Sequence, residues 1–204
     1  MRLDLNLTQE NNKQNVYFTS DFHLFHKNVI RFDNRPFNNV DEMHVAIEES
    51  WNEVVQPKDI VIYLGDLSFA RREEKKYVTE LLNRLNGTIH FVLGNHDKYF
   101  DIKQIPRFKT VQDYLEVRIK HFDNNTNKVV ETLFCCMHYP IYSWNKSHHG
   151  SFMVHGHSHM SLSEGEFHKT RRIIDVGLMG YGYKPISYLD IINKLEDRET
   201  TTHH

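Results

Sequence analysis

Residues 16–23 read VYFTSDFH, an apolar run that ends in side chains able to ligate metal. The run 16–19 predicts a β-strand, and Asp21 and His23 follow its end directly. Open α/β sheets place their sites at the carboxyl ends of strands, so this stretch indicates both a fold class and a site. The same pattern, an apolar run followed by a side chain that can ligate metal, recurs further along the chain.

The first half of the chain alternates strands and helices. Further apolar runs at 59–64 and 89–93 predict strands, and apolar residues at helical spacing predict helices from residue 41 and over 73–85. This order is the pattern of parallel strands joined by crossover helices. Periodicity alone therefore indicates the α/β class.

The second half predicts a hairpin and further strands. Apolar runs at 114–122 and 129–137 flank the polar residues 123–127, which predicts a β-hairpin. The later elements are predicted as strands at 152–155 and 171–175 and a helix at 187–195. We find no internal repeat and no low-complexity tract in the sequence.

A length of 204 residues allows one compact domain with a sizeable core. We expect a single domain over 16–198, a flexible N-terminal segment over 1–15 and a polar tail over 199–204. The first segment is too polar for a signal peptide, and no apolar run reaches bilayer length. Cys135 and Cys136 are adjacent in an apolar run, which suits buried thiols better than a disulfide. These features predict a cytoplasmic protein with no membrane partner.

The charge and the histidine content limit the function classes. A formal net charge of -2 provides no basic field that would gather nucleic acid, so we expect no strong nucleic-acid binding. The fifteen histidines are several times the usual number for a chain of this size. Because imidazole is the commonest metal ligand among side chains, this composition favours a metal site.

Metal-capable side chains follow predicted strands in both halves of the chain. Because the carboxyl ends of parallel strands meet at one sheet edge, residues distant in sequence would meet there. They are Asp21, His23, Asp66, Asn95, His138, His157 and His159. Two cations about 3.5–4 Å apart require a bridging carboxylate, with oxygen and imidazole ligands in the other positions. The sequence therefore predicts a centre for two metal ions.

These residues resemble the signature blocks of the calcineurin-like metallophosphoesterase superfamily. The blocks are, in order, Asp21-Phe22-His23, Gly65-Asp66, Gly94-Asn95-His96-Asp97, His138 and Gly156-His157-Ser158-His159. The resemblance implies a four-layer α/β/β/α sandwich of two mixed sheets, with the dimetal site at one sheet edge.

The resemblance also implies how the ligands divide between two metal ions. One ion would be held by Asp21, His23 and His159, and the other by Asn95, His138 and His157. The carboxylate of Asp66 would bridge them. The implied cofactors are two divalent metal ions, for which we favour manganese, with iron, zinc, nickel or magnesium as alternatives.

Two further residues have implied catalytic roles. His96 would contact the phosphate or protonate the leaving oxygen, and Asp97 would orient His96. The implied reaction is in-line attack on phosphorus by a hydroxide that bridges the metals. No covalent phosphoenzyme is expected.

The chain also resembles a narrower branch of small bacterial and phage members, through residues 21–30, 34–37, 138–140 and 143–144. This branch implies candidate substrate-binding residues, which are His26, Asn28, Arg35, Trp144 and His148. One departure is Leu67-Ser68-Phe69, where many superfamily members carry an acidic residue. The departure bears on the branch and the substrate and touches no predicted ligand.

The predicted function is hydrolysis of a small phosphate ester. We favour a phosphodiesterase acting on nucleotides or cyclic nucleotides, because the chain is short and has no evident cap domain. The alternatives are a phosphomonoesterase and, in a different class, a binding scaffold that has lost catalysis. The intact ligand set and His96 argue against the scaffold, and the sequence does not choose the oligomeric state.

Overall fold

The computed structural model describes residues 1–8, 14–99, 101–123 and 126–200. Within these residues, ten strands form two five-stranded sheets. The strands are β1 (Arg2–Asn6), β2 (Val16–Thr19), β3 (Ile60–Tyr63), β4 (Thr88–Val92), β5 (Phe108–Gln112), β6 (Leu115–Asp123), β7 (Lys128–Cys136), β8 (Phe152–His155), β9 (Ile173–Asp175) and β10 (Ile186–Ser187). The α-helices are α1 (Lys27–Phe32), α2 (Val40–Val54), α3 (Lys75–Arg84), α4 (Glu166–Thr170) and α5 (Tyr188–Leu195).

The first sheet has the strand order β10-β2-β3-β4-β5. Its strands β2 to β5 are parallel, and β10 pairs with β2 in the antiparallel sense. All four residues of β3, Ile-Val-Ile-Tyr, are buried. A parallel sheet covered on both faces needs such continuous apolar strands, so this composition fixes β3 in the middle of the molecule.

The second sheet has the order β1-β6-β7-β8-β9. The hairpin of β6 and β7 is antiparallel, whereas β8 and β9 continue in parallel with β7. Both sheets are therefore mixed. The predicted hairpin is confirmed, except that Asn124 and Asn125 of its turn lie outside the described residues.

Apolar side chains fill the space between the two sheets. This inner core includes Phe18, Ile62, Val117, Phe134 and Val154. Helices α2 and α3 cover the outer face of the first sheet, and a smaller cluster around Met153 together with the short α4 covers the second. The order of layers is α/β/β/α, which confirms the predicted fold.

The local sequence explains where the longest helix begins and which face it buries. The Asn39 side chain accepts a hydrogen bond from Glu42 N and caps the start of α2. Met43, Ile47 and Trp51 recur every four residues and form the buried face of the helix. The helix predicted from residue 41 is therefore confirmed.

The prediction of a flexible N-terminal segment over 1–15 is wrong for residues 2–6, which form β1 and pair in parallel with β6. Leu3 and Leu5 alternate with exposed residues and pack against the inner core. Their burial explains why this stretch is ordered. Residues 9–13 lie outside the described residues.

The predicted tail over 199–204 is docked at its start. Glu199 N donates to Thr170 O at 2.9 Å, and the residues from 201 onward lie outside the described part of the chain. The short elements α1, β5 and β10 were not predicted from periodicity. Among the described residues, no helix has the length and apolar character needed to span a bilayer.

Candidate active site

The carboxyl ends of five strands lie at one edge of the sandwich. Strands β2, β3 and β4 are parallel in the first sheet, and β7 and β8 are parallel in the second. Asp21 N donates to Gly65 O at 3.0 Å, which ties the loop after β2 to the loop after β3. Leu178 N, beyond β9, donates to Ser20 O at 3.3 Å and ties the second sheet to the first. The loops that carry the predicted ligands therefore meet.

Three side chains from both sheets form a first group. Ligand atoms of Asp21, His23 and His159 all lie within 4.8 Å of one another. The Nε2 atoms of the two imidazoles are 3.0 Å apart, and each is 3.7 Å from Asp21 Oδ1. Asp21 is fully buried, and its Oδ2 also accepts from His157 N at 3.0 Å.

Asp66, His138 and His157 form a second group with the same 4.8 Å limit. His138 Nε2 lies 3.5 Å from Asp66 Oδ2 and 3.0 Å from Asn95 Oδ1. The amide oxygen of Asn95 therefore adds a fourth potential ligand to this group. The structure brings together all seven side chains predicted to hold metal.

Asp66 lies between the two groups. Its Oδ1 accepts from His96 N at 2.9 Å, which fixes the carboxylate. Its Oδ2 is 3.7 Å from His23 Nε2 in the first group and 3.5 Å from His138 Nε2 in the second. Oδ2 therefore faces imidazoles of both groups, as the predicted shared carboxylate would.

The outer nitrogens of two imidazoles are held by acceptors. His138 Nδ1 lies 2.6 Å from Leu64 O, and His159 Nδ1 lies 2.9 Å from both carboxylate oxygens of Asp33. A carbonyl or a carboxylate only accepts, so each ring donates through Nδ1 and turns Nε2 toward the cluster. Metal-binding histidines are commonly oriented in this way.

The charges at the centre shift one another's pKa values. Burial raises the pKa of Asp66, but the His138 imidazole, the backbone N–H of His96 and the His23 imidazole lower it to about 2. Burial lowers the pKa of His138, but the Asp66 and Asp21 carboxylates raise it to about 9. At neutral pH the carboxylate is therefore ionised and the imidazole protonated in the free chain. A cation that binds His138 has to displace that proton.

The donor set fits divalent cations. Each group combines carboxylate oxygen with imidazole nitrogen, which is the ligand chemistry of borderline and first-row divalent metals. The two groups share a carboxylate position at Asp66, and their Nε2 atoms converge. The residues present are therefore suited to hold two divalent metal ions.

Backbone strain is concentrated at this edge. Five of the predicted ligands have left-handed backbone conformations, namely Asp21 (φ 62°), His23 (φ 52°), Asp66 (φ 59°), His157 (φ 66°) and His159 (φ 47°). Such residues cost free energy and cluster at functional sites. A Cβ at Gly94 would collide with Asp66 Oδ1, so only glycine allows the backbone to pass beside this carboxylate.

His96 lies beside the centre and its neighbour Asp97 beneath it. His96 Nε2 is 3.8 Å from Asp66 Oδ2, and its side chain is 36% exposed. Asp97 is buried, and its carboxylate accepts from the backbone N–H groups of Asp66, Leu67 and Gly94 at 2.8, 2.9 and 2.7 Å. The prediction that Asp97 orients the His96 ring is corrected, because the carboxylate instead fixes the loops after β3 and β4.

Comparison with known proteins identifies the family. The family model for calcineurin-like phosphoesterases matches residues 15–183. The chain belongs to this family. The resemblance inferred from the five sequence blocks is thereby confirmed, and membership supports metal-dependent hydrolysis of phosphate esters as the activity.

Relatives of this phosphoesterase occur in an archaeon and in phages. An uncharacterized protein of Methanocaldococcus jannaschii is 37% identical over 185 residues, which cover 90% of this chain and 92% of that protein. The Gene 66 protein of Mycobacterium phage D29 is 30% identical and covers 80% of this chain and 87% of its own. A crystal structure of a protein of unknown function from Aquifex aeolicus has a TM-score of 0.65 at 23% identity, covering 89% of this chain and 99% of that one. This last similarity shows the fold.

One of the predicted substrate-binding residues of the phosphoesterase, His26, lies near the centre. His26 stacks on Phe69 with ring centroids 4.2 Å apart, and its centroid is 5.9 Å from that of His23. Asn28 is exposed near the start of α1. The sequence prediction for His26 and Asn28 stays a prediction.

The remaining substrate-binding predictions are corrected by the structure. The Arg35 guanidinium is buried and donates to the Asp33 carboxylate and to backbone carbonyls. Trp144 is 6% exposed in the cluster with Met153, and its Nε1 donates to Ser151 O at 3.2 Å. His148 lies in the turn that leads into the start of β8, at the opposite end of that strand from the site. None of these three side chains is placed to contact a substrate at the metal-ligand groups.

Sequence reasoning missed several residues of the site. Phe69 lies 4.5 Å from His96 and 5.5 Å from His23, measured between ring centroids. Asp175 is buried and accepts from Ser158 Oγ and from Met160 N, which fixes the loop after β8. The sequence contained one indication of Phe69, because it belongs to the segment Leu67-Ser68-Phe69, in which many family members carry an acidic residue.

Proposed function

We propose that this phosphoesterase hydrolyses phosphodiesters of nucleotide type, with two divalent cations, preferably manganese, held by the two groups. The proposal rests on one observation above all, which is the state of Arg35. Its side chain is 0% exposed and is paired with Asp33. The one arginine among the predicted substrate-binding residues is therefore committed elsewhere.

This observation bears on the charge of the substrate. A phosphate monoester is a dianion near neutral pH, and its extra charge is usually balanced by a cationic side chain such as a forked arginine. A diester is a monoanion and needs less positive charge beyond the cations themselves. The buried position of Arg35 supports a diester.

Exposed aromatic rings flank the two groups. Phe69 is 36% exposed and lies beside His23 and His96, whereas Tyr139 is 39% exposed and its centroid lies 4.6 Å from that of His157. Nucleobases stack on such rings with about 1–3 kcal/mol per base in single-strand binders. The two rings support a nucleotide or cyclic nucleotide as the substrate.

The side chains divide the chemical work. Two bound cations would withdraw charge from the phosphoryl oxygens and lower the pKa of a water between them. Burial lowers the pKa of His96, so its ring is neutral in the free chain at pH 7. A phosphate anion beside the ring would raise this pKa again, which allows His96 to hold a proton for the leaving oxygen.

The expected partner is a small phosphate ester, and the net charge of -2 argues against strong binding to nucleic acid. Both cysteines are free and buried, which supports a reducing compartment such as the cytoplasm. A cell fraction that contains the protein outside the cytoplasm would contradict this location.

A substrate panel tests the proposal. Bis-p-nitrophenyl phosphate and a 2′,3′-cyclic nucleotide should have higher kcat/KM values than p-nitrophenyl phosphate, at equal manganese concentration. A preference for the monoester would contradict the diester and favour the phosphomonoesterase. Absence of turnover with every ester, in a protein that binds two ions, would instead favour the binding scaffold.

A further inference from the structure

A largely buried acid, Asp33, and a buried arginine, Arg35, lie outside the predicted ligands and touch the first group. Asp33 directly follows α1, and Arg35 comes two residues later. Their side chains are 9% and 0% exposed. Two opposite charges removed from water in this way need close mutual pairing, which the structure provides.

Asp33 contacts one predicted ligand. Both of its carboxylate oxygens lie 2.9 Å from His159 Nδ1. The ring therefore donates through Nδ1 and directs Nε2 at His23 Nε2, 3.0 Å away, and at Asp21 Oδ1, 3.7 Å away. The Asp33 carboxylate thus sets the face that His159 presents to the first group.

Arg35 holds Asp33 and, at the same time, the loop after β2. Its Nε and Nη2 donate to Asp33 Oδ2 at 3.1 and 2.9 Å. Its Nη2 and Nη1 also donate to the carbonyls of Asp21 and Phe22 at 3.0 and 2.9 Å. One guanidinium therefore connects the acid that holds His159 to the backbone that carries Asp21.

The two connected loops come from different sheets. Asp21 and His23 follow β2 in the first sheet, whereas His159 follows β8 in the second. We propose that Asp33 and Arg35 are a positioning pair, which holds these loops at the separation that the first group needs to bind its cation. The second group is oriented differently, because His138 Nδ1 is held by the Leu64 carbonyl.

Loss of the pair should therefore weaken binding of the cation in the first group and leave binding of the cation in the second group unchanged. The inference rests on the ligand groups of the proposed function and is independent of the substrate preference. Loss of a carboxylate that orients a metal-binding histidine typically weakens binding about 10–100-fold.

Manganese titration of the metal-free protein, followed by the electron paramagnetic resonance of free Mn²⁺, measures this directly. The wild-type chain should bind two equivalents. In Asp33→Ala, one equivalent should keep its affinity and the other should weaken about 10–100-fold. Asp33→Asn keeps an acceptor oxygen for His159 Nδ1 and should recover part of the loss. Arg35→Met should resemble Asp33→Ala.

Two controls separate positioning from general stability. Asp59 is a buried carboxylate that accepts from backbone amides away from the site, and Arg107 donates to the carbonyls of Leu82, Leu85 and Gly87. Asp59→Asn and Arg107→Met should lower the melting temperature and leave both manganese affinities within about twofold of wild type.

Three results would overturn the inference. They are an unchanged titration in Asp33→Ala and Asp33→Asn, an equal weakening of both equivalents, and a wild-type chain that binds fewer than two ions. A wild-type chain that binds two ions and prefers monoesters would overturn the substrate proposal and leave the positioning pair standing.

Discussion

Two buried aspartates at opposite ends of β3 have different surroundings. Asp59 precedes the strand and Asp66 follows it, and each is 1% exposed. The Asp59 carboxylate accepts from the backbone N–H groups of Asn15 and Gln56 at 2.8 and 2.7 Å, one on each oxygen. Oδ1 of Asp66 accepts from His96 N, whereas Oδ2 accepts from no amide of the described residues and faces three imidazoles at 3.5–3.8 Å.

The difference shows how burial and function can be separated. Folding satisfies Asp59 on both oxygens, as expected for a buried acid whose role is structural. In Asp66, by contrast, Oδ2 is surrounded by imidazole nitrogens, which are common metal ligands. Two aspartates can therefore be equally buried and differ in role. A buried carboxylate is a candidate metal ligand when one of its oxygens has no backbone donor and lies among imidazoles.

The largest expected effect comes from changing Asp66. Asp66→Asn removes the shared charge, so we expect loss of metal and a fall of several orders of magnitude in turnover. Asp59→Asn should cost about 1–3 kcal/mol of unfolding free energy and keep the activity. Plasma emission for metal content and a diesterase assay check both variants. Similar activities in the two variants would remove the distinction between the aspartates.

His96 should give the next largest effect, because it contacts the centre without belonging to either ligand group. We expect His96→Ala to keep both ions and lose roughly 10²–10⁴ in rate, the usual reach of general acid catalysis. The loss should shrink with p-nitrophenolate as leaving group, since it departs without a proton. An equal loss for good and poor leaving groups would assign His96 to phosphate binding.

The pH dependence of metal binding should be a smaller effect and should be strongest on the Asp66 side. In the first group, burial lowers the pKa of His159, but the Asp33 and Asp21 carboxylates raise it above its ordinary value. His138, with its pKa raised to about 9, is protonated in the metal-free chain at pH 7. Metal affinity should therefore rise about tenfold per pH unit up to about pH 9, with one proton released from this ring. Calorimetry in buffers of different ionisation enthalpy counts the protons. Affinity that is flat between pH 7 and 9 would contradict the shift.

The same pKa shift makes a prediction for folding. A pKa raised above its ordinary value of 6.5 stabilises the metal-free fold below about pH 6.5. This contribution is lost as the pH rises through about 9. Denaturant unfolding of the metal-free protein at pH 6.5 and 9.5 should show lower stability at the higher pH.

The smallest effect is expected at the aromatic rings. Tyr139→Ala should raise KM for a cyclic nucleotide about tenfold, in line with about 1–3 kcal/mol for base stacking. The KM for bis-p-nitrophenyl phosphate should rise only if its nitrophenyl rings also stack on Tyr139. Trp144→Phe should lower stability alone, because Trp144 lies in the core. If KM changed in Trp144→Phe and not in Tyr139→Ala, Trp144 rather than Tyr139 would be the residue that contacts the substrate.

The sequence predicted the parts of the site that directly follow strands. Asp21, Asp66 and His138 each come after a buried apolar run, so the parallel topology fixes where they meet. The direction of a side chain has no such signal. Arg35 and Trp144 have types that suit a pocket, but whether they point inward depends on contacts distant in sequence.

The missed elements have a similar cause. β1 is short and half exposed, and its partner β6 lies more than 100 residues later, so only tertiary pairing stabilises it. Asp33 belongs to no periodic pattern, and its role depends on His159, which is 126 residues away in sequence. Local propensity cannot predict either contact.

Anomalous diffraction at the manganese edge tests the central claim most directly, on crystals grown with Mn²⁺. We predict two peaks about 3.5–4 Å apart on either side of Asp66 Oδ2. One peak should lie against Asp21, His23 and His159, and the other against Asn95, His138 and His157. A single peak, or two peaks that do not share Asp66, would contradict the account.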